Sequence, residues 1–138
     1  MNDRADLAMA AGADGVHLGQ DDIMVSDARR ILGAAKLVGV STHNIQQARN
    51  AVMEGANYIG VGPIFPSNTK SFDSFPGLEF AKQVASEIKL PAYAIGGIGS
   101  RNIGDVLRTG IRFIAARNSV ISKPDPFVAA TELMSKMS

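Results

Sequence analysis

Glu54-Gly55-Ala56-Asn57-Tyr58-Ile59 decides how the chain folds, because the string recurs. Ala11-Gly12-Ala13-Asp14-Gly15-Val16 and Thr109-Gly110-Ile111-Arg112-Phe113-Ile114 are versions of it. In each, a glycine follows a helical pattern and stands just ahead of a short apolar run rich in strand formers. Glycine there accepts the left-handed backbone that ends a helix, with no Cβ to clash. Each string is therefore an αβ joint. The glycines lie 43 and 55 residues apart, and each interval holds two strands and two helices. One unit then spans roughly 20–30 residues, the size of a βα repeat.

Working outward, the pattern predicts strands at Gly15–Leu18, Lys36–Val40, Tyr58–Val61, Ala92–Ile95 and Phe113–Ala116. Helices are predicted near Arg4–Ala11, Ser26–Leu32, Asn44–Glu54, Leu78–Ile88, Arg101–Thr109 and Pro126–Met137. Helical apolar spacing is clear in Ile45, Ala48, Val52 and in Phe80, Val84, Ile88. The strands read as apolar nearly throughout, which predicts a parallel sheet covered on both faces. Ser26, Asn44 and Ser100 are the expected N-caps.

Composition narrows the function classes. The chain has 138 residues, with 14 basic against 13 acidic side chains and a net charge of +1. That balance argues against a nucleic-acid or membrane-surface binder driven by bulk charge. The absence of cysteine removes disulfide scaffolds, zinc–thiolate sites and thiol catalysis together. At 46% apolar and 20% charged residues the chain is not a disordered one. No apolar run approaches the length of a membrane span, and the charged start (Asp3, Arg4, Asp6) does not read as a signal peptide. The expectation is a soluble protein of the cytoplasm, residues 1–138 forming one domain. The length is well short of the ~250 residues of an eight-fold β/α barrel.

In parallel β/α architectures ligands collect beyond the C-terminal strand ends. The residues that follow the strands are Gly19, Gln20, Asp21 and Asp22; Ser41, Thr42 and His43; Ser67, Asn68, Thr69 and Lys70; Gly96 and Gly97; and Arg117, Asn118 and Ser119. Asn2 and Asp3 join them, just before the first helix. Hard carboxylate oxygens at Asp3, Asp21 and Asp22 suit Mg²⁺. They equally read as a helix cap and solvated loop charges. Gly96-Gly97 ahead of a helix start reads as an anion cradle of backbone N–H groups, or as a plain tight turn. Lys70 is either a point charge for phosphate or a solvated lysine. Ser41 is either a strand-end donor or a turn residue. The Gly62–Pro76 segment breaks the βα rhythm, and a long loop after a strand end is usually functional. Its Phe65, Phe72 and Phe75 form a lid or anchor the loop. His17 lies within a strand and reads as a hydrogen-bonded interior residue, whereas His43 is placed to shuttle a proton. No G-x-S-x-G elbow or dinucleotide fingerprint is present.

Five strings in order carry a resemblance: Asn2-Asp3-Arg4-Ala5-Asp6-Leu7-Ala8; Ala13-Asp14-Gly15-Val16-His17-Leu18-Gly19-Gln20-Asp21-Asp22; Gly39-Val40-Ser41-Thr42-His43; Val61-Gly62-Pro63-Ile64-Phe65-Pro66 with Thr69-Lys70; and Ala94-Ile95-Gly96-Gly97-Ile98. The chain closely resembles the thiamine-phosphate synthase family along essentially its whole length. The resemblance implies an α/β fold of the TIM-barrel type. It also implies an enzyme that joins a hydroxymethylpyrimidine diphosphate to a thiazole phosphate with Mg²⁺ and releases pyrophosphate. By position, Asp3 and Asp22 are the expected Mg²⁺ carboxylates. Asn2, Ser41 and Lys70 are expected at the diphosphate, and Ser67 and Thr69 beside the two rings, Ser67 standing where Thr is usual. Gly97 and the backbone near Asn118 are expected at the thiazole phosphate. Lys70 and Ser41 carry the catalytic expectation.

Two departures qualify it. Ala116-Arg117-Asn118-Ser119 stands where the family has a small apolar residue and then Ser, so Arg117 brings a bulky cation to the phosphate pocket or points away from it. The match also begins at the end of the family's third strand, so the expectation is a partial barrel of five strands lacking the first three βα units. The second strand of that missing part carries a Gln/Arg/Lys cluster for the diphosphate. Five strands cannot close an eight-stranded barrel, and the open edges predict self-association. The other readings are a related thiazole tautomerase, with His43 as its functional residue, and a non-catalytic phosphate-ligand-binding module.

Overall fold

The joint glycines adopt the predicted backbone: φ is +66° at Gly12, +82° at Gly55 and +100° at Gly110 in a computed structural model that describes residues 1–66 and 75–137. The first two joints are closed by the same pair of hydrogen bonds. Gly12 N–H reaches Met9 C=O at 3.1 Å while Ala13 N–H reaches Ala8 C=O at 2.9 Å. Gly55 and Ala56 repeat this onto Val52 and Ala51 at 3.1 and 2.9 Å. These are the two bonds of a Schellman helix end.

The elements alternate as expected: α1 (Ala5–Ala10), β1 (Gly15–Leu18), α2 (Val25–Leu32), β2 (Leu37–Thr42), α3 (Ile45–Met53), β3 (Tyr58–Val61), α4 (Gly77–Glu87), β4 (Ala92–Ile95), α5 (Ile103–Arg108), β5 (Phe113–Ala115), α6 (Asn118–Ile121) and α7 (Pro126–Ser135). The five strands form one parallel sheet in chain order, β1-β2-β3-β4-β5. Crossovers between parallel strands are right-handed, so a sheet wound steadily in one direction carries all its crossover helices on one face. The sheet is open: β5 has no further neighbour among the described residues, and β1 is flanked only by Met1–Asp3. There Asn2 bridges His17 in parallel, and His17 N–H reaches Met1 C=O at 2.9 Å.

This geometry corrects the expectation of a sheet covered on both faces. Val16, Leu18, Val38, Val40, Ile59, Val61 and Ala94 are buried under the helices, against Ala8, Ala28, Ala51, Phe80, Val84 and Val106. The opposite face carries His17, Ser41, Tyr58, Tyr93 and Phe113, all partly or largely accessible. Three ring contacts cross it: His17–Tyr58 and Tyr58–Tyr93, each with centroids 5.5 Å apart, and Tyr93–Phe113 at 5.1 Å. Aromatic residues on this face made the strands look apolar at both parities.

Asn44 caps α3, its side chain accepting from Gln47 N–H at 2.9 Å. Ser26 and Ser100 do not cap. Met24 precedes α2 in extended backbone with no side-chain bond, which leaves Ser26 inside the first turn, and α5 starts after Asn102. Asp125 caps α7, accepting from Val128 N–H at 3.0 Å ahead of Pro126. Below the sheet, Arg29 of α2 donates to the carbonyls of Gly33 (3.4 Å), Lys36 and Gly55 (3.2 Å) and to Asn57 Oδ1. Asn57 Oδ1 also accepts from Val38 N–H at 2.8 Å. One guanidinium thereby ties α2, the entry to β2 and the α3–β3 joint. No helix among the described residues is long and apolar enough to cross a membrane.

Candidate functional site

The C-terminal strand ends open onto a cavity of about 1100 Å³. Ser41, His43, Gly97 and Asn118 line it, together with Arg101, Arg117 and Lys123, and with Asp125 and Glu132 near α7. Three of the expected site residues, Ser41, Gly97 and Asn118, thus share one space. Asn2, Asp3 and Asp22 stand apart from its lining, on the rim of β1. Ser67, Thr69 and Lys70 lie outside the described residues, as does Phe72.

The cradle is shaped by close approach. Gly96 and Gly97 have φ of +100° and +62°. A Cβ on Gly96 would stand 2.7 Å from Pro63 Cα, and one on Gly97 2.6 Å from the Pro66 carbonyl oxygen. The turns after β3 and β4 are fastened together: Ile64 N–H donates to Ile95 C=O at 2.9 Å, and Phe65 N–H to Gly96 C=O at 3.1 Å. Phe65 also packs on the core, so it anchors this loop. Asn102 closes the next turn, accepting from Gly99 N–H at 2.8 Å and donating to Gly97 C=O at 3.0 Å. Among the described residues no hydrogen bond takes the N–H of Gly97 or Ile98. The Ser119 hydroxyl, also on the cavity lining, is buried without a partner among them. Backbone N–H groups left open beside cations are what an anion takes.

On the β1 rim, Asp3 has φ of +63°, rare for a side chain other than glycine, and its N–H donates to His17 C=O at 2.9 Å. Neither Asn2 nor Asp3 caps α1, which starts after Arg4 with no side-chain cap bond. Arg4 instead grips Asp6 through two bonds of 2.8 and 2.5 Å and holds that carboxyl at about 2. Asp22 Oδ2 accepts from Gly19 N–H at 2.6 Å, which folds the loop back on itself. Burial pushes the His17 imidazole below its ordinary value, while the charges of Asp3 and Asp22 act the other way.

His17 links the rim to the cavity. Its Nε2 is 2.9 Å from Ser41 Oγ and its Nδ1 is 3.1 Å from the Tyr58 hydroxyl. Gln20 Nε2 donates to Ser41 C=O at 2.6 Å, a second tie between the β1 loop and β2. His43 Nδ1–H donates to Gly62 C=O at 2.6 Å, and its backbone N–H to Gln47 Oε1 at 2.7 Å. Sequence reasoning placed His17 in the interior but missed its bonds to Ser41 and Tyr58. Strict alternation along β1 and β3 was the available signal for Tyr58. Arg117 is among the residues that line the cavity, and it is exposed there.

Comparison with known proteins places this geometry. The chain is 43% identical over 137 residues to the thiamine-phosphate synthase of Prochlorococcus marinus, covering 99% of this chain and 40% of that protein. It is 45% identical over 139 residues to the thiamine-phosphate synthase of Chloroflexus aurantiacus, covering all of this chain and 64% of that one. The solved structure of thiamine phosphate pyrophosphorylase from Pyrococcus furiosus superposes with a TM-score of 0.87 at 34% identity, covering 99% of this chain and 65% of its own. The chain therefore spans between two fifths and two thirds of the length of these relatives. The family model described as thiamine monophosphate synthase matches residues 1–120. On these matches, and with a one-way parallel sheet of TIM-barrel type, the chain belongs to the thiamine monophosphate synthase family.

Proposed function

We propose that this chain carries the phosphate-binding part of a thiamine-phosphate synthase site. The reaction joins hydroxymethylpyrimidine diphosphate to thiazole phosphate in thiamine biosynthesis, and turnover is impaired in this chain taken alone. The observation that carries the reading is the cradle: the Gly97 and Ile98 N–H groups, without partners among the described residues, on a cavity that Arg101, Arg117 and Lys123 also line. Gly97 and the backbone near Asn118 take the thiazole phosphate. Asn2, Ser41 and Lys70 contact the diphosphate, and Ser67 and Thr69 flank the rings. The bond between the pyrimidine methylene and the diphosphate oxygen breaks first, its electron pair leaving with pyrophosphate. The thiazole nitrogen then supplies the pair for the new C–N bond. Lys70 as a point charge and Ser41 as a donor stabilise the charge that builds on the leaving group, which is electrostatic rather than acid–base catalysis.

Asp3 and Asp22 fit Mg²⁺. They are hard oxygen donors on the rim of β1, and Mg²⁺ takes one or two carboxylates with water and phosphate oxygens. Bound there, the ion supplies further positive charge to the departing diphosphate. Residues 1–138 act as one incomplete barrel-type domain in the cytoplasm. The edge of β5, unpaired among the described residues, and the open face, where Ile95 of β4 and Phe113 of β5 are each 48% exposed, favour pairing with a second copy.

The test is a titration of the ¹⁵N-labelled chain with inorganic phosphate and then thiazole phosphate. Amide shifts at Gly96, Gly97 and Asn118 are expected; unmoved resonances there overturn the reading. With both substrates and Mg²⁺ the expected product is thiamine phosphate, formed slowly. Turnover equal to that of a full-length relative overturns the impairment. A thiazole tautomerase is the second reading. It is favoured by the place of the His43 ring, which lines the cavity with its Nδ1–H donated to Gly62 C=O. A thiazole isomerisation assay separates the two.

A further inference from the structure

We infer that Tyr58 and His17 form a positioning relay that turns the Ser41 hydroxyl hydrogen toward the cavity, so that Ser41 meets its ligand as a donor to an anion. This role rests on the proposed phosphate contact at Ser41 and deepens it.

The relay spans three strands. His17 on β1 and Tyr58 on β3 both stand opposite Gly39 of β2 in the sheet register. A Cβ at position 39 would lie 2.0 Å from Tyr58 Cζ and 2.4 Å from both Cε atoms. Only glycine lets the ring lie across β2 and bring its hydroxyl to His17 Nδ1 at 3.1 Å. The other ring nitrogen, Nε2, meets Ser41 Oγ at 2.9 Å.

A neutral imidazole has one N–H, so the chain of bonds can run in two directions. In one, Tyr58 O–H donates to Nδ1, Nε2–H donates to Ser41 Oγ, and the Ser41 hydrogen is left for a further acceptor. In the other, Ser41 donates to Nε2, Nδ1–H donates to the phenol oxygen, and the phenol hydrogen needs an acceptor. Among the described residues the Tyr58 hydroxyl has no hydrogen bond other than the one to His17. Ser41 borders the cavity, where water or ligand accepts. The second direction leaves the phenol hydrogen with no acceptor among the described residues, whereas the first leaves only the Ser41 hydrogen, which has the cavity beside it, so the first is favoured.

The chain has two histidines, so assignment of the imidazoles needs only a His43→Gln control. Long-range ¹H–¹⁵N correlation of the labelled full chain at pH 8 reads the tautomer without any ligand. The expected result is a protonated Nε2 and a bare Nδ1 on His17. A protonated Nδ1 overturns the relay. Tyr58→Phe keeps the ring and removes only the hydroxyl. It is expected to shift the His17 tautomer toward Nδ1–H and to weaken binding of inorganic pyrophosphate about tenfold, the scale of one lost donor to an anion. Ser41→Ala should weaken binding to a similar degree, and the double variant should add nothing further. A Tyr58→Phe chain with unchanged tautomer and unchanged affinity overturns the relay. If the unaltered chain takes no pyrophosphate, the proposed phosphate contact fails, and the tautomer readings still decide the relay by themselves. Gly39→Ala, which displaces the ring rather than deleting the hydroxyl, should reproduce the Tyr58→Phe tautomer shift.

Discussion

Replacing Gly97 by Ala tests the cradle most directly. The residue sits at φ +62°, and a methyl group there would stand 2.6 Å from the Pro66 carbonyl oxygen and 2.9 Å from both Cβ and the carbonyl oxygen of Phe65. Left-handed backbone costs an alanine roughly 1–2 kcal/mol. The contact must be relieved as well. The cheapest relief is retreat of the turn after β3, which breaks the bonds from Ile64 to Ile95 and from Phe65 to Gly96, at about 1 kcal/mol each. The expected loss is then about 3 kcal/mol, read as a fall in Tm on the order of 10 °C for a chain of this size. Gly12→Ala is the matched control. Gly12 has nearly the same φ, +66°, but a methyl group there meets nothing within 4 Å. It should cost only the backbone part, about 1 kcal/mol. Urea unfolding of both variants gives the difference, and phosphate titration shows whether the amide shifts at Ile98 and Asn118 vanish with Gly97→Ala. Equal stability losses together with an intact phosphate response would refute the idea of a cradle held open by close backbone contact.

Arg29→Met removes a guanidinium that serves four acceptors, two of them at partly buried sites. Counting mainly those two, the expected loss is about 2–4 kcal/mol, checked by chemical denaturation with an Asn57→Ala double-mutant cycle. Because burial lowers the His17 proton affinity, the unfolded chain binds the extra proton first as pH falls below about 6.5, so stability is full above that value and declines beneath it. His17→Gln should flatten that decline in thermal melts between pH 7 and 5. Asp125→Ala deletes the cap on Val128 N–H and should cost about 1 kcal/mol, lowering Tm by a few degrees. Phe113→Ser on the open face should shift sedimentation toward monomer; an unchanged distribution would remove that face from any self-contact.

The strands at Gly15–Leu18 and Tyr58–Val61 were legible to the residue, because a joint glycine marks where each preceding helix must stop and a strand can begin, and Ala92–Ile95 was legible from its short apolar run after Pro91. The covered face was not. Strands of three to six residues containing Tyr, Phe and Gly look apolar at either parity, and only the winding of the sheet decides which side the helices take. Ser26 and Ser100 failed as caps because capping depends on where the backbone turns, and Met24 turns it first. Helix α6 has four residues, too few to show a period. In the site, Ser41, Gly97 and Asn118 were readable as strand-end residues and do share the cavity. The bond from Tyr58 to His17 was hidden, since it crosses an intervening strand at a glycine and exists only once register is set.

Strand order equal to chain order has a further consequence. Each βα unit is flanked only by the units before and after it, so its stability resembles a term in a one-dimensional nearest-neighbour sum. Native-state hydrogen exchange should then be graded along the chain. Protection should peak in β2 and β3 and fall toward β5, which has one strand neighbour among the described residues and no fully buried side chain.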